Sequence, residues 1–290
     1  MFTEDKGKYT KLDVLKSISF ALLIVVSAFI VQFGVVIFCE VFSLVFLRKS
    51  ILDSPNGTVV ASMLYAVITV VIAFVIYYFL NRKPKYNIQG QEIVAKKKYT
   101  TLKRVGIIIL FGIIVQFSMS ALLNFVYVFA GDTKLFRDYS ELMESLDGSE
   151  TSLMLVYTFF LAPLSEEYIF RGVIYSYMRK YVPMRIANVV QAALFGIFHM
   201  NIIQGVYAFF GGLLFGYIAE HKKSMLELVL FHMTVNISGI LLTSAVYTLL
   251  EKIINPVVLY GVMAVIFSVI TVVLLKKRFL QNDKNEVGSL

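Results

Sequence analysis

The sequence predicts an all-α protein, a polytopic transmembrane helical bundle of about eight spans, and three observations carry that prediction. The 290 residues are 58% hydrophobic and only 16% charged, with a mean hydropathy of +0.77, far too apolar for a water-soluble globule. The apolar residues gather into runs of about 18 or more, the length at which a helix crosses the hydrocarbon core with every backbone group paired. Most charges fall between those runs, with a strongly basic second connection and an acidic third one.

The runs lie near 17–47, 58–80, 105–130, 151–178, 186–202, 204–220, 224–249 and 255–275. The first follows a basic start, Lys6 to Lys16, but is too long for a signal peptide and lacks a small-residue cleavage pattern, so it reads as a retained span. It contains Cys39, the single cysteine, which excludes a disulfide framework and a thiolate metal site. The second and third are uninterrupted. The fourth is broken by Pro163 and carries Glu166, Glu167 and Arg171; the proline frees a backbone carbonyl and can turn the carboxylates toward a cleft. The fifth and sixth are short and almost continuous, and Gly212 and Gly216 in the sixth form the G-x-x-x-G spacing of close helix packing. The seventh holds His232 and Asn236, and the eighth carries no charged residue. Residues 1–150 are thus N-terminal membrane helices without a motif, 151–250 hold every unusual polar residue, and 251–290 are a last span and a tail, all in one bundle.

Loop charge sets the expected orientation. Arg82, Lys83, Lys85, Lys96, Lys97, Lys98, Lys103 and Arg104 face only Glu92 in the second connection, which places it in the cytoplasm. The third is the reverse, with Asp132, Asp138, Glu141, Glu144, Asp147 and Glu150 against Lys134 and Arg137. Counting onward puts Arg179, Lys180, Arg185, Lys222, Lys223, Lys276, Lys277 and Arg278 inside, with both termini. The expected location is a plasma membrane, bacterial by its general character. The net charge of +8 is explained by anchoring to anionic lipid, and no aromatic-interleaved basic patch points to nucleic acid.

A charged side chain near the bilayer centre costs roughly 2.5–3.5 kcal/mol on insertion scales, so three within six residues need a reason. At 100° per residue Glu167 and Arg171 are about 40° apart and can neutralise one another, whereas Glu166 diverges from Arg171 by about 140°. A solvated cluster at the cytoplasmic end of the span is the plain alternative. The other polar residues in apolar runs are His199, in "FGIFH", and His232 with Asn236 one turn on, in "HMTVN". Each is costly unless it finds a partner, and together they predict a shared polar site. His221, in a charged turn, is expected to be solvated.

Such a set suits amide hydrolysis, which needs an activated water, a proton carrier to the leaving amine and donors for the oxyanion. Glu166 with His199 can activate the water, and His232 with Asn236 can serve the oxyanion. Alternatively Glu166, His199 and His232 ligate zinc or another divalent metal that acidifies the water. The H-E-x-x-H signature is missing, and both readings, metal-dependent and metal-free, stay open.

The three motifs "EEYIFR", "FGIFH" and "HMTVN", in that order, resemble the CPBP intramembrane protease family, also called Abi or CAAX protease-like, over about residues 150–240. The resemblance implies that Glu166 is the catalytic glutamate, His199 its water-activating partner, and His232 and Asn236 the oxyanion side, with Glu167 and Arg171 in support. It implies an intramembrane endopeptidase acting on a peptide or protein, lipidated in the CAAX-processing members, presented from the cytoplasm or the bilayer. It also implies a rival: a non-catalytic bacteriocin-immunity or peptide-binding membrane protein. A proton-coupled transporter fits less well, because the polar groups sit in one half with no matching repeat in the other.

Overall fold

The computed structural model describes residues 9–54, 56–81, 102–147, 152–222 and 224–276. Among the described residues there are nine helices and no strand: α1 Lys11–Leu47, α2 Gly57–Asn81, α3 Leu102–Ala130, α4 Lys134–Asp147, α5 Ser152–Met178, α6 Met184–Phe198, α7 Ile202–Lys222, α8 Met225–Leu250 and α9 Pro256–Leu275. Arg82, Lys83, Lys85, Glu92, Lys96, Lys97, Lys98, Glu150, Lys223, Lys277, Arg278 and the terminal segments lie outside the described residues.

Local chemistry fixes the helix starts. Thr10 and Asp13 form a reciprocal capping box at α1, Ser224 accepts from the Glu227 amide at α8, and Asn255 accepts from the Val257 amide just ahead of Pro256 at α9. Packing then sorts side chains by size. On α1 the buried positions are Ser17, Ala21, Val25, Ala28, Val35, Cys39 and Ser43, while Ile30, Phe33, Ile37 and Phe38 face outward. Small residues inside and large apolar ones outside is the pattern of helices solvated by lipid, which gain little by burying bulk and much by close approach.

Seven of the helices are long and apolar enough to span a membrane, making this an integral membrane protein. The run near 186–202 differs from the expectation of a full span: α6 has only 15 residues. Pro183 stands at its N-cap, and at its other end Met200 takes a left-handed φ of 58° while Asn201 caps α7 by accepting from the Gln204 amide. Hydropathy reads through this turn because Phe198, Met200, Ile202 and Ile203 keep it apolar.

α6 and α7 form an antiparallel hairpin on a seam of small residues. A Cβ on Gly196 would lie 2.6 Å from the Gly205 carbonyl oxygen, one on Gly212 3.0 Å from the Ala192 Cα, and one on Gly216 2.0 Å from Asn188 Oδ1. Gly212 and Gly216 therefore do what their spacing predicts, letting two backbones touch. Two ends of the bundle can be told apart. One carries the turns around 48–56, 131–133 and 251–255 with α4; the other carries Arg179, Lys180 and Arg185 and the starts of α3 and α8.

Candidate active site

α5 is not a uniform α-helix. It widens to π geometry over Tyr157–Leu161 and again over Tyr168–Tyr175, so the short α segment Ala162–Glu167 holding both carboxylates is bracketed by wide turns. In the first wide turn the Ala162 amide reaches Tyr157 O, five residues back. The next amide in that register would be at residue 163, which is proline, so the Thr158 carbonyl loses its helical donor. Asn236 supplies one: its Nδ2 donates to Thr158 O at 3.0 Å. The proline expected to free a carbonyl thus ties α5 to α8 at the level of the site.

Glu167 is the hub. It is fully buried, and its Oε1 accepts from Arg171 Nη1 at 2.9 Å and from His232 Nδ1 at 2.7 Å. Arg171 is equally buried; its Nη2 donates to Gly212 O at 3.3 Å, and its guanidinium carbon lies 4.5 Å from the centre of the Phe195 ring and 5.0 Å from that of Phe215. An ion pair removed from water repays its desolvation only with such additional partners, and the two aromatic faces supply them. The cluster is therefore internal and not the solvated interfacial group that composition alone allowed.

The pairing fixes the imidazole tautomers. Glu167, beside a guanidinium, accepts, so His232 carries its proton on Nδ1 and directs Nε2 toward Glu166, 3.7 Å from Oε2. That separation is an ion-pair distance and too long for a hydrogen bond. His199 repeats the pattern: Nδ1 is 2.8 Å from Phe195 O, a carbonyl that can only accept, which leaves Nε2 unprotonated in the neutral ring. Glu166 retains 16% exposure of its side chain where Glu167 has none, as the angular divergence from Arg171 predicts.

Glu166, His199, His232 and Asn236 all line one cavity of about 1510 Å³. The structure thus brings together the four residues predicted to act, with Glu167 and Arg171 directly behind them. Phe195, the first residue of the "FGIFH" motif, orients His199 through its carbonyl and sets its ring under Arg171. Sequence reasoning did not single out Gln191, fully buried, whose Nε2 donates to Gly212 O at 2.8 Å; its only signal is position, since Gln191, Phe195 and His199 recur every four residues on one face of α6. Tyr65, Tyr157 and Tyr207 also line the cavity. At its margin burial pushes the Tyr139 phenol up, with the Tyr207 hydroxyl pulling the other way. His221 differs from the expectation of a solvated residue: it is half-buried, its Nδ1 2.8 Å from Tyr217 O.

Glu166, His199 and His232 are the ligands the sequence offers to zinc. Among the described residues no three His, Cys, Asp or Glu side chains are grouped so as to hold a metal ion. No step below is routed through a metal.

Residues 148–238 match the family model described as type II CAAX prenyl endopeptidase Rce1-like. The matched segment runs from just before α5 to the middle of α8, contains all six site residues, and agrees with the CPBP/Abi resemblance of the three motifs. No curated protein and no solved structure matches the chain.

Proposed function

We propose that this integral membrane protein, whose residues 148–238 form a type II CAAX prenyl endopeptidase Rce1-like segment, is an intramembrane endopeptidase that uses Glu166 and His199 to activate water. The observation carrying this reading is the common cavity: a partly exposed carboxylate, two imidazoles held by their Nδ1 atoms, and a carboxamide, from α5, α6 and α8. It is the donor and acceptor set that hydrolysis of an amide requires.

Water held between Glu166 and His199 Nε2 attacks the scissile carbonyl carbon. Glu166 takes its proton and passes it to the leaving nitrogen as the C–N bond breaks, so the carboxylate is regenerated. Asn236 has one amide proton on Thr158 O and the other free for the developing oxyanion. His232 can donate from Nε2 only as the doubly protonated ring, because its Nδ1 proton is held by Glu167. Glu167 and Arg171 are positioning residues. The loop charges support an orientation with both termini in the cytoplasm, and we take the membrane to be a bacterial plasma membrane.

The test is turnover of a quenched peptide library by purified protein. Glu166→Ala and His199→Ala should each abolish cleavage while the protein stays folded in detergent. Normal turnover by Glu166→Ala overturns the proposal.

A further inference from the structure

The cavity is not placed symmetrically in the bundle. Its floor is formed by Glu166, Phe195, Phe215 and His232, and below that floor the interior is solid, filled by Phe170, Ile174, Met178, Leu228 and Phe231, none more than 1% exposed. Above the floor it runs to the opposite end, where Asp53, Ser54, Thr58 and Glu251 line it and are exposed. The mouth therefore opens among the turns around 48–56 and 251–255, beside α4. The connections at the sealed end are the strongly basic ones, whereas those at the mouth are mixed, with Asp53, Asp132, Asp138, Glu141 and Glu251 beside Arg48, Lys49, Lys134, Arg137 and Lys252. Lysine- and arginine-rich connections stay in the cytoplasm. The mouth then faces away from it.

The wall is built for a peptide backbone. On α8 Asn236 and Thr243, and Glu251 just past its end, line the cavity at successive heights, and on α3 Gln116, Ser120 and Asn124 recur every four residues facing them. Gln116 Nε2 donates to Ser120 Oγ at 2.8 Å, and Ser120 Oγ to Thr243 Oγ1 at 3.4 Å, so the two polar stripes meet. From Asn236 to Glu251 is about 22 Å of helix at 1.5 Å per residue. That is the length of about seven residues of extended chain. Among the described residues every ionisable lining side chain apart from tyrosine is a carboxylate or an imidazole; no lysine or arginine lines the cavity. A substrate with a C-terminal carboxylate would find no cation there, whereas a cationic segment finds Asp53 and Glu251 at the mouth.

We propose that the substrate is an extended, cation-bearing peptide segment that enters this site from the extracytoplasmic face. The inference rests on the endopeptidase reading for what happens at the floor, but its test reads access and not turnover. In a Cys39→Ala background, Thr248→Cys and, separately, Asn124→Cys place a thiol on the cavity wall, and Gly106→Cys places one near the basic end, where an added Cβ meets nothing within 4 Å. A membrane-impermeant maleimide added to intact cells should label the first two and not Gly106→Cys, which should label in inverted vesicles. Labelling of the wall thiols only from inverted vesicles, or from neither face, overturns the route. For the charge, Glu251→Gln should lower kcat/KM about two- to fivefold for a lysine-bearing peptide and leave its neutral counterpart unchanged; an equal effect on both overturns it. If Glu166→Ala keeps full turnover while the labelling pattern holds, it is the catalytic reading that fails.

Discussion

His232 donates its Nδ1 proton to Glu167 at 2.7 Å, across a span of 65 residues in sequence and between two different helices. The same carboxylate oxygen holds Arg171, so removing it releases two groups at once. Glu167→Ala should cost about 3–5 kcal/mol of stability, since it leaves a buried guanidinium without its counter-charge. Glu167→Gln keeps the shape but not the charge, and should lower turnover about 10- to 100-fold through misorientation of His232. Thermal unfolding in detergent and single-turnover cleavage separate the two effects.

Glu166→Gln should behave in the opposite way. Its carboxylate is 3.7 Å from His232, beyond hydrogen-bonding distance, so little stability depends on it. Activity should fall by about 10²–10⁴, the range lost with a proton-transferring group, with an unfolding midpoint within a degree or two of the parent. A large drop in that midpoint would mark Glu166 as structural.

Asn236→Ala leaves the Thr158 carbonyl without a donor and should cost about 1–3 kcal/mol. Pro163→Ala restores a backbone N–H in the register of that carbonyl, so the double variant should recover part of the loss. Unfolding midpoints of the four proteins of the cycle measure the coupling. Strict additivity would contradict the role given to Pro163.

Gly196→Ala forces a Cβ to within 2.6 Å of the Gly205 carbonyl oxygen, a backbone atom that cannot swing aside. Separation of α6 from α7 should cost about 1–3 kcal/mol and lower activity by displacing His199, three residues further on. Gly34→Ala, with nothing within 4 Å of the added carbon, should be neutral or slightly stabilising.

Exhaustive dialysis against a chelator should leave cleavage intact, because the donor arrangement among the described residues offers no metal a three-ligand site. Loss of turnover restored by zinc alone would reverse this expectation.

The membrane class and the Glu167–Arg171 pair were legible in the sequence because each depends on spacing along a single helix. Seven of the eight expected runs are helices long enough to span, and a separation of four residues on one helix already specifies which carboxylate meets the arginine. The break between α6 and α7 was legible, but its place at 199–201 was not, since the residues through it remain apolar and its signals, Asn201 and the left-handed Met200, are one residue each. Nor was the bond between His232 and Glu167, a relation between helices that no one-dimensional period encodes. Cavity polarity, built from Gln116, Ser120, Asn124 and Thr243, was invisible for the same reason: singly these are ordinary residues of membrane helices.

The wide turns flanking Ala162–Glu167 leave the helix with spare length on both sides of its carboxylates. Loss of one residue from Tyr157–Leu161 can be absorbed by relaxation to the narrower winding without breaking the rod. Because a wide turn needs about one more residue than an ordinary turn to sweep the same angle, the upstream half would keep its facing relative to Glu166. Natural variation can thus shorten this stretch by a residue while the carboxylate, its anchor and the side chains above it keep their places, making the wide turn a buffer that shields the hydrolytic centre from small changes in chain length.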